Sequence, residues 1–298
     1  MSHFLLETLE EVPEYDRADV VIVPVPYEAT TTYRQGCQNG PEALLTASRQ
    51  VEYFDSELWL QPCDRVGIYT CDPVCDTRKN PHLSGEEMVS QVAAVTSKIV
   101  ADGKFAIAIG GEHSITEGVV KGFSLANPNE RFTVVQIDAH GDLRYEYEGS
   151  IYNRACVMRR IVDMGLPTVQ IGIRSICQEE SDFIKERNLK IVWDRDIATR
   201  SNWIETTLAA IPTDRVFITI DLDGINPGIM PGVGTPEPGG LGWYDLLAFL
   251  RRLCETHTVI GGDVMELAPV ADSVVSEFTA AKLVYKLIAY AKVLGVRD

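Results

Sequence analysis

Eight short runs of β-branched and other apolar residues punctuate the chain, at residues 20–26, 66–70, 105–110, 132–138, 168–173, 190–193, 216–221 and 258–265. They are apolar almost throughout, without alternating polar positions, which marks strands of a parallel sheet covered on both faces. Most intervals between them are long enough for a helix, and the stretches 85–103 and 244–255 are amphipathic. The last segment, 272–294, has apolar residues at helical spacing and should cover one face of the sheet. This alternation predicts a three-layer α/β/α architecture with a mainly parallel, eight-stranded sheet. No repeat, low-complexity tract or linker divides the pattern, and the loop TPEPGGLG (235–242) is short and lies between elements. One domain over residues 1–298 is expected.

Composition narrows the function classes. A chain of 298 residues with 45% apolar content can bury a sizeable core. No apolar run approaches the roughly 18 residues that span a bilayer. The first residues, MSHFLLETLEEVPEYDRADV, lack the basic start and apolar stretch of a signal peptide, so a cytoplasmic protein is expected. A formal net charge of −16 argues against nucleic-acid binding and mildly favours cationic ligands. Seven irregularly spaced cysteines suggest reduced thiols; Cys71 and Cys75 have a zinc-compatible spacing but no second matched pair.

The chemistry gathers where strands end. Ligands of open parallel sheets bind at the carboxyl ends of the strands. Here one strand runs into Gly110-Gly111-Glu112-His113-Ser114 and another into Asp138-Ala139-His140-Gly141-Asp142. A third runs into Asp221-Leu222-Asp223 and a fourth into Glu266. Two histidines and four aspartates would meet at one sheet edge. Four crowded carboxylates cannot all stay ionised without cations, because burying unpaired charge costs several kcal/mol per ion, as an order of magnitude. Two divalent metals balance them. Oxygen-rich ligands with some imidazole and no thiolate suit manganese, and iron, cobalt or zinc are the other metals such a set accepts. Two metals roughly 3.5–4 Å apart can share a water and lower its pKa until it is a nucleophile.

Rival signatures are weaker. GVGTPEPGG begins like a dinucleotide loop, but Glu237 stands where the third glycine would be. Neither a phosphate loop of the G-x-x-x-x-G-K-S/T kind nor a G-x-S-x-G elbow is present.

The segments GGEHSIT, IDAHGDLR, ACVMRR, TIDLDGINPGIMPGVGTPEPGGL and GGDVMELAPVADS resemble the ureohydrolases, the arginase and agmatinase family. The stretch PVPYEATTTYRQGCQNGPEALLTAS is similar to the start of the agmatinase branch. The resemblance covers nearly the whole chain. It implies an arginase-like α/β/α fold, a binuclear manganese centre, hydrolysis of a guanidino compound to urea and an amine, and a homotrimer or homohexamer. It implies His113, Asp138, His140, Asp142, Asp221 and Asp223 as the metal ligands. By the same resemblance Glu266 grips the guanidinium group, Thr235 lines the site, and Asp142 hydrogen-bonds the nucleophile and passes its proton on. Agmatine is the first substrate this suggests, which would place the protein in polyamine biosynthesis.

Two positions depart from the family pattern. Asn226 stands where the DxDxxDP stretch has an aspartate, and it should keep the turn. In Tyr152-Asn153-Arg154-Ala155-Cys156-Val157, Arg154 replaces the usual histidine of the substrate contact, with Asn153 beside it as a further substrate-binding candidate. Arginine cannot give up a proton near neutral pH. If Arg154 enters the pocket it disfavours a cationic tail and favours a carboxylate-bearing guanidino acid or formiminoglutamate; otherwise it points to solvent. A metal-bound, catalytically weak regulatory homologue is the remaining alternative.

Overall fold

The computed structural model describes residues 3–5 and 13–295. Its strands are β1 (Val20–Val25), β2 (Ile68–Thr70), β3 (Phe105–Gly110), β4 (Thr133–Ile137), β5 (Thr168–Ile173), β6 (Lys190–Trp193), β7 (Arg215–Asp221) and β8 (Thr258–Met265). Each of the eight apolar runs becomes one of these strands, shifted by at most two residues at an end. The helices are α1 (Gly40–Ser48), α2 (Gly85–Ala101), α3 (Ile115–Ala126), α4 (Val157–Asp163), α5 (Gln178–Arg187), α6 (Asp194–Thr199), α7 (Trp203–Leu208), α8 (Trp243–Thr256) and α9 (Val275–Ala289). The α9 helix begins three residues later than the apolar pattern of 272–294 suggests and continues as a π-helical turn over Tyr290–Leu294.

Two cores explain why the strands are apolar on both faces. On one face Ile22, Ile107, Val135 and Ile218 pack with residues of α1, α7, α8 and α9. On the other, Val21, Ala108, Val134 and Phe217 pack with α2, α3, α4 and α5. Helix α2 shows how the sequence sets such an element. Ser84 caps it, accepting the Glu87 N–H while the Glu87 side chain accepts the Ser84 N–H, and Met88, Val89, Val92 and Ile99 are buried along it. Among the described residues no helix is long and apolar enough to cross a membrane.

Sheet order places the functional edge. All neighbours pair in parallel, in the order β2-β1-β3-β8-β7-β4-β5-β6. After β3 the chain skips two positions to lay down β4, then works outwards through β5 and β6, and returns to fill the gap with β7 and β8. The four strands that end in His113, Glu266, Asp221 and Asp138 are therefore the four consecutive strands at the centre. Their register is level: Ile137 pairs with Ile220, and Asp221 with Met265. Opposite changes of direction at such a point open a crevice beyond the carboxyl ends.

Candidate active site

The β4 end turns sharply. Asp138 is fully buried; its Oδ1 accepts the His140 N–H at 2.6 Å and its Oδ2 accepts Gln136 Nε2 at 2.6 Å. Gln136 is itself braced by Gln170, whose Nε2 also donates to the Gly141 carbonyl at 2.7 Å. The turn brings Asp142 back over the edge with φ 52°, a left-handed conformation that a non-glycine residue adopts at a cost of about 1–3 kcal/mol. Glu180 holds this turn by accepting the N–H groups of Leu143 and Cys177 at 2.9 and 2.7 Å. Beside it, Asp221 Oδ1 accepts the Asp223 N–H at 2.9 Å, closing a short turn at the β7 end. Gly224 follows because a Cβ there would lie 2.7 Å from the Asp138 nitrogen. Glu266 directly follows β8 at φ 68°, its N–H donated to the Gly111 carbonyl at 2.8 Å.

These turns bring all six expected ligands together. His113 Nδ1 lies 3.1 Å from Asp138 Oδ2, 3.1 Å from Asp142 Oδ2 and 3.3 Å from Asp221 Oδ2. His140 Nδ1 lies 3.0 Å from Asp223 Oδ2 and 3.6 Å from Asp138 Oδ1. Two groups of donors thus lie close enough to hold an ion each: His113, Asp138 and Asp142, and Asp138, His140 and Asp223. Asp138 belongs to both, with one oxygen turned to each. Thr235 donates to Asp223 Oδ2 at 3.2 Å. Above them is a cavity of about 260 Å³ whose wall includes His113, His140, Thr235, Glu266, Arg154 and Tyr147.

The electrostatics show a cluster short of positive charge. Burial and the Asp138 charge push Asp142 up to about 6, and burial with Asp223 and Asp138 pushes Asp221 well above the carboxylate range. Burial, partly opposed by Arg154, pushes Glu266 up to about 7. Burial alone would lower both histidines, yet the surrounding carboxylates raise His113 well above its usual value and His140 to about 12. His113 Nδ1 faces three carboxylates without one well-formed hydrogen bond. A buried polar atom in that position, amid oxygen donors, fits a divalent cation.

Glu266 Oε1 accepts the His113 N–H at 2.8 Å, while Oε2 is buried without a hydrogen-bond donor. Arg154 points inwards: Nη1 is 3.6 Å from that oxygen, and Nη2 donates to Thr32 Oγ1 at 3.2 Å. Asn153 behaves differently from the expectation that it contacts substrate. It is buried, and its Oδ1 caps the following turn by accepting the Ala155 N–H at 3.0 Å. Asn226 makes the expected turn, its Oδ1 accepting the Gly228 N–H at 2.8 Å.

Several supporting residues lay outside the sequence reading. Thr219 Oγ1 is 2.8 Å from His113 Nε2 and fixes the ring, and buried Asp263 stands beside Thr219 in the adjoining strand. Glu112, fully buried, accepts the N–H groups of Ala29 and Thr30 and ties the N-terminal loop over the site. Their signal was present as polar breaks inside apolar runs and as an unassigned acid in GGEHS.

Comparison with known proteins places this geometry. The model of the Arginase family matches residues 18–289. The N(1)-aminopropylagmatine ureohydrolase of Synechocystis sp. is 58% identical over 281 residues, covering 94% of this chain and 92% of that protein. The protein of the same name from Thermus thermophilus is 34% identical, again covering 94% and 92%. The crystal structure of the agmatine ureohydrolase of Thermoplasma volcanium superposes with a TM-score of 0.83 at 31% identity, covering 96% of each chain.

Proposed function

We propose a substrate for this chain on the premise that it belongs to the arginase family and is an agmatinase-like hydrolase of guanidino C–N bonds. The substrate is N(1)-aminopropylagmatine, hydrolysed to urea and a triamine, a step of polyamine biosynthesis. The observation that carries this is the 58% identity to the Synechocystis protein of that name over nearly the full length of both chains. It moves the first choice from agmatine to its aminopropyl derivative. The formal charge of −16 suits a ligand bearing one guanidinium and two ammonium groups. Arg154 is turned to Glu266 and Thr32.

His113, Asp138 and Asp142, with Asp221 beside His113, would hold one divalent ion, and Asp138, His140 and Asp223 the second, with manganese preferred for this donor set. When bound, the pair supplies the positive charge the cluster lacks and the acidification that makes water a nucleophile near neutral pH. The chain's own groups do the rest. Glu266 Oε2 orients the guanidinium through charge-assisted hydrogen bonds, its other oxygen being fixed by the His113 N–H. Asp142, held over the edge by its left-handed turn, takes the proton of the attacking water. Arg154 keeps its proton, so the proton for the leaving amine returns from Asp142 or solvent.

Urea release across a panel of N(1)-aminopropylagmatine, agmatine, arginine and 4-guanidinobutyrate tests the reading. The expected kcat/KM for N(1)-aminopropylagmatine exceeds that for agmatine by at least ~10-fold, about 1.4 kcal/mol. Preference for 4-guanidinobutyrate would overturn it.

A further inference from the structure

Arg154 carries a guanidinium group on the carboxylate that a substrate guanidinium needs. Its backbone is anchored, the N–H donating to Thr30 Oγ1 at 3.1 Å, and its side chain is only 13% exposed. Gly234 closes the opposite side, where a Cβ would lie 3.4 Å from Arg154 Nη1 and 3.5 Å from Glu266 Oε2. Glu266 Oε1 is already committed to the His113 N–H, which leaves Oε2 for a ligand. At 3.6 Å from Oε2, Nη1 attracts the carboxylate by charge without forming a hydrogen bond to it.

We propose that Arg154 is a built-in competitor for the guanidinium subsite. A ligand guanidinium displaces it from Oε2 or binds against its charge, and the bond from Nη2 to Thr32 tethers the side chain in the competing position. The penalty is common to every guanidinium ligand, because the same oxygen must be vacated for each. What differs is the further binding that each ligand brings. A bare guanidinium ion brings none and is kept out, whereas a guanidinium on a polycationic tail gains from the acidic protein. Arg154 thereby raises the affinity that every guanidinium ligand must bring from the rest of its length, without changing the ratio between ligands. The inference rests on the proposed function only for which long substrate that is.

Calorimetric binding of the guanidinium ion to manganese-loaded protein tests the proposal apart from turnover, and the KM for the preferred substrate gives a second readout. Arg154→Gln removes the charge and keeps a group that can reach Thr32; Arg154→Ala removes both. Both variants are expected to bind the guanidinium ion at least tenfold more tightly than wild type, and to lower the KM for the preferred substrate by a similar factor. A gain in affinity is not what a damaged site gives, so it separates competition from a structural role. Guanidinium affinity within threefold of wild type in both variants would overturn the proposal. If the variants bind guanidinium more tightly while wild type leaves N(1)-aminopropylagmatine intact, the proposed substrate falls and the competitor role stands.

Discussion

The molecule holds two clusters of charge, one half-buried and one buried, and they are built on opposite principles. Beneath α9, Lys286 is 4% exposed and lies 2.8 Å from Asp55 and 2.7 Å from Glu57, while Arg251 reaches Glu57 at 2.7 Å. Two acids face two bases there. Against the effect of burial, Lys286 and the other donors hold Asp55 below its usual value and Glu57 at about 2. At the strand ends, Asp138, Asp142, Asp221, Asp223 and Glu266 outnumber the two histidines and Arg154 that face them, and Asp142, Asp221 and Glu266 are pushed up. The first cluster satisfies itself and holds α9 to the loop after α1. The second is complete only with cations added. An unbalanced buried cluster is the one that points to ligands and chemistry.

The largest effect should come from the residue shared by both metal groups. Asp138→Ala is expected to leave at most one divalent ion per chain where wild type is expected to hold about two, and to lower kcat by at least ~1000-fold, about 4 kcal/mol. Elemental analysis after manganese loading and urea release measure both. Two retained ions with activity within tenfold of wild type would remove Asp138 from the centre.

The self-satisfied cluster should answer only in stability. Lys286→Met strands two acids, one of them buried, and is expected to lower unfolding free energy by about 3–5 kcal/mol in denaturant titration. Metal content and KM should not move. If metal content falls with it, the two clusters are coupled and the contrast fails.

Glu266→Gln sits between these extremes. It removes the charge proposed to orient the guanidinium and keeps the group that accepts the His113 N–H. The expected loss in kcat/KM is at least ~100-fold, about 2.7 kcal/mol, with metal content unchanged. A loss below threefold would place Glu266 outside the reaction.

The clusters should also respond to pH with opposite signs. Asp55 and Glu57 have lowered folded pKa values, so their stabilisation is present above the unfolded carboxylate range and is lost as pH falls towards about 2. Without metal, the raised acids near 6 and 7 and the raised histidines make the folded chain bind more protons than the unfolded one above about pH 4. The melting temperature of stripped protein should therefore fall from pH 5 to pH 8, while loaded protein gains from metal increasingly over that window. Parallel curves for stripped and loaded protein would count against metal binding by this cluster.

Much of this was legible in the sequence because it is encoded locally. Apolar runs became strands, and Asp-x-His-x-Asp and Asp-x-Asp lie directly after two of them, so ligands and sheet edge could be read together. The Lys286–Asp55 pair spans 231 residues and has no local pattern. Arg154 was visible as a departure, but its direction depends on a rotamer and on Thr32 and Glu266, brought beside it only by folding. The position of Asn153 before a turn suits a cap as readily as a substrate contact, and its Oδ1 forms the cap.

The smallest expected effect lies just behind the unbalanced cluster. Thr219 points from β7 at His113 Nε2, and Asp263, its register partner on β8, is fully buried and pushed up to about 6, chiefly by burial. With the hydroxyl accepting the proton on Nε2, the lone pair of Nδ1 is left facing Asp138, Asp142 and Asp221, where a cation would sit. Thr219→Val keeps the shape of the side chain and removes that acceptor. It should weaken metal binding by about tenfold, roughly 1.4 kcal/mol, with Thr219→Ser restoring most of it. Competition against a chelator of known affinity reads this directly, apart from turnover. Equal metal affinity in the valine variant and wild type would mean that packing alone holds the His113 ring.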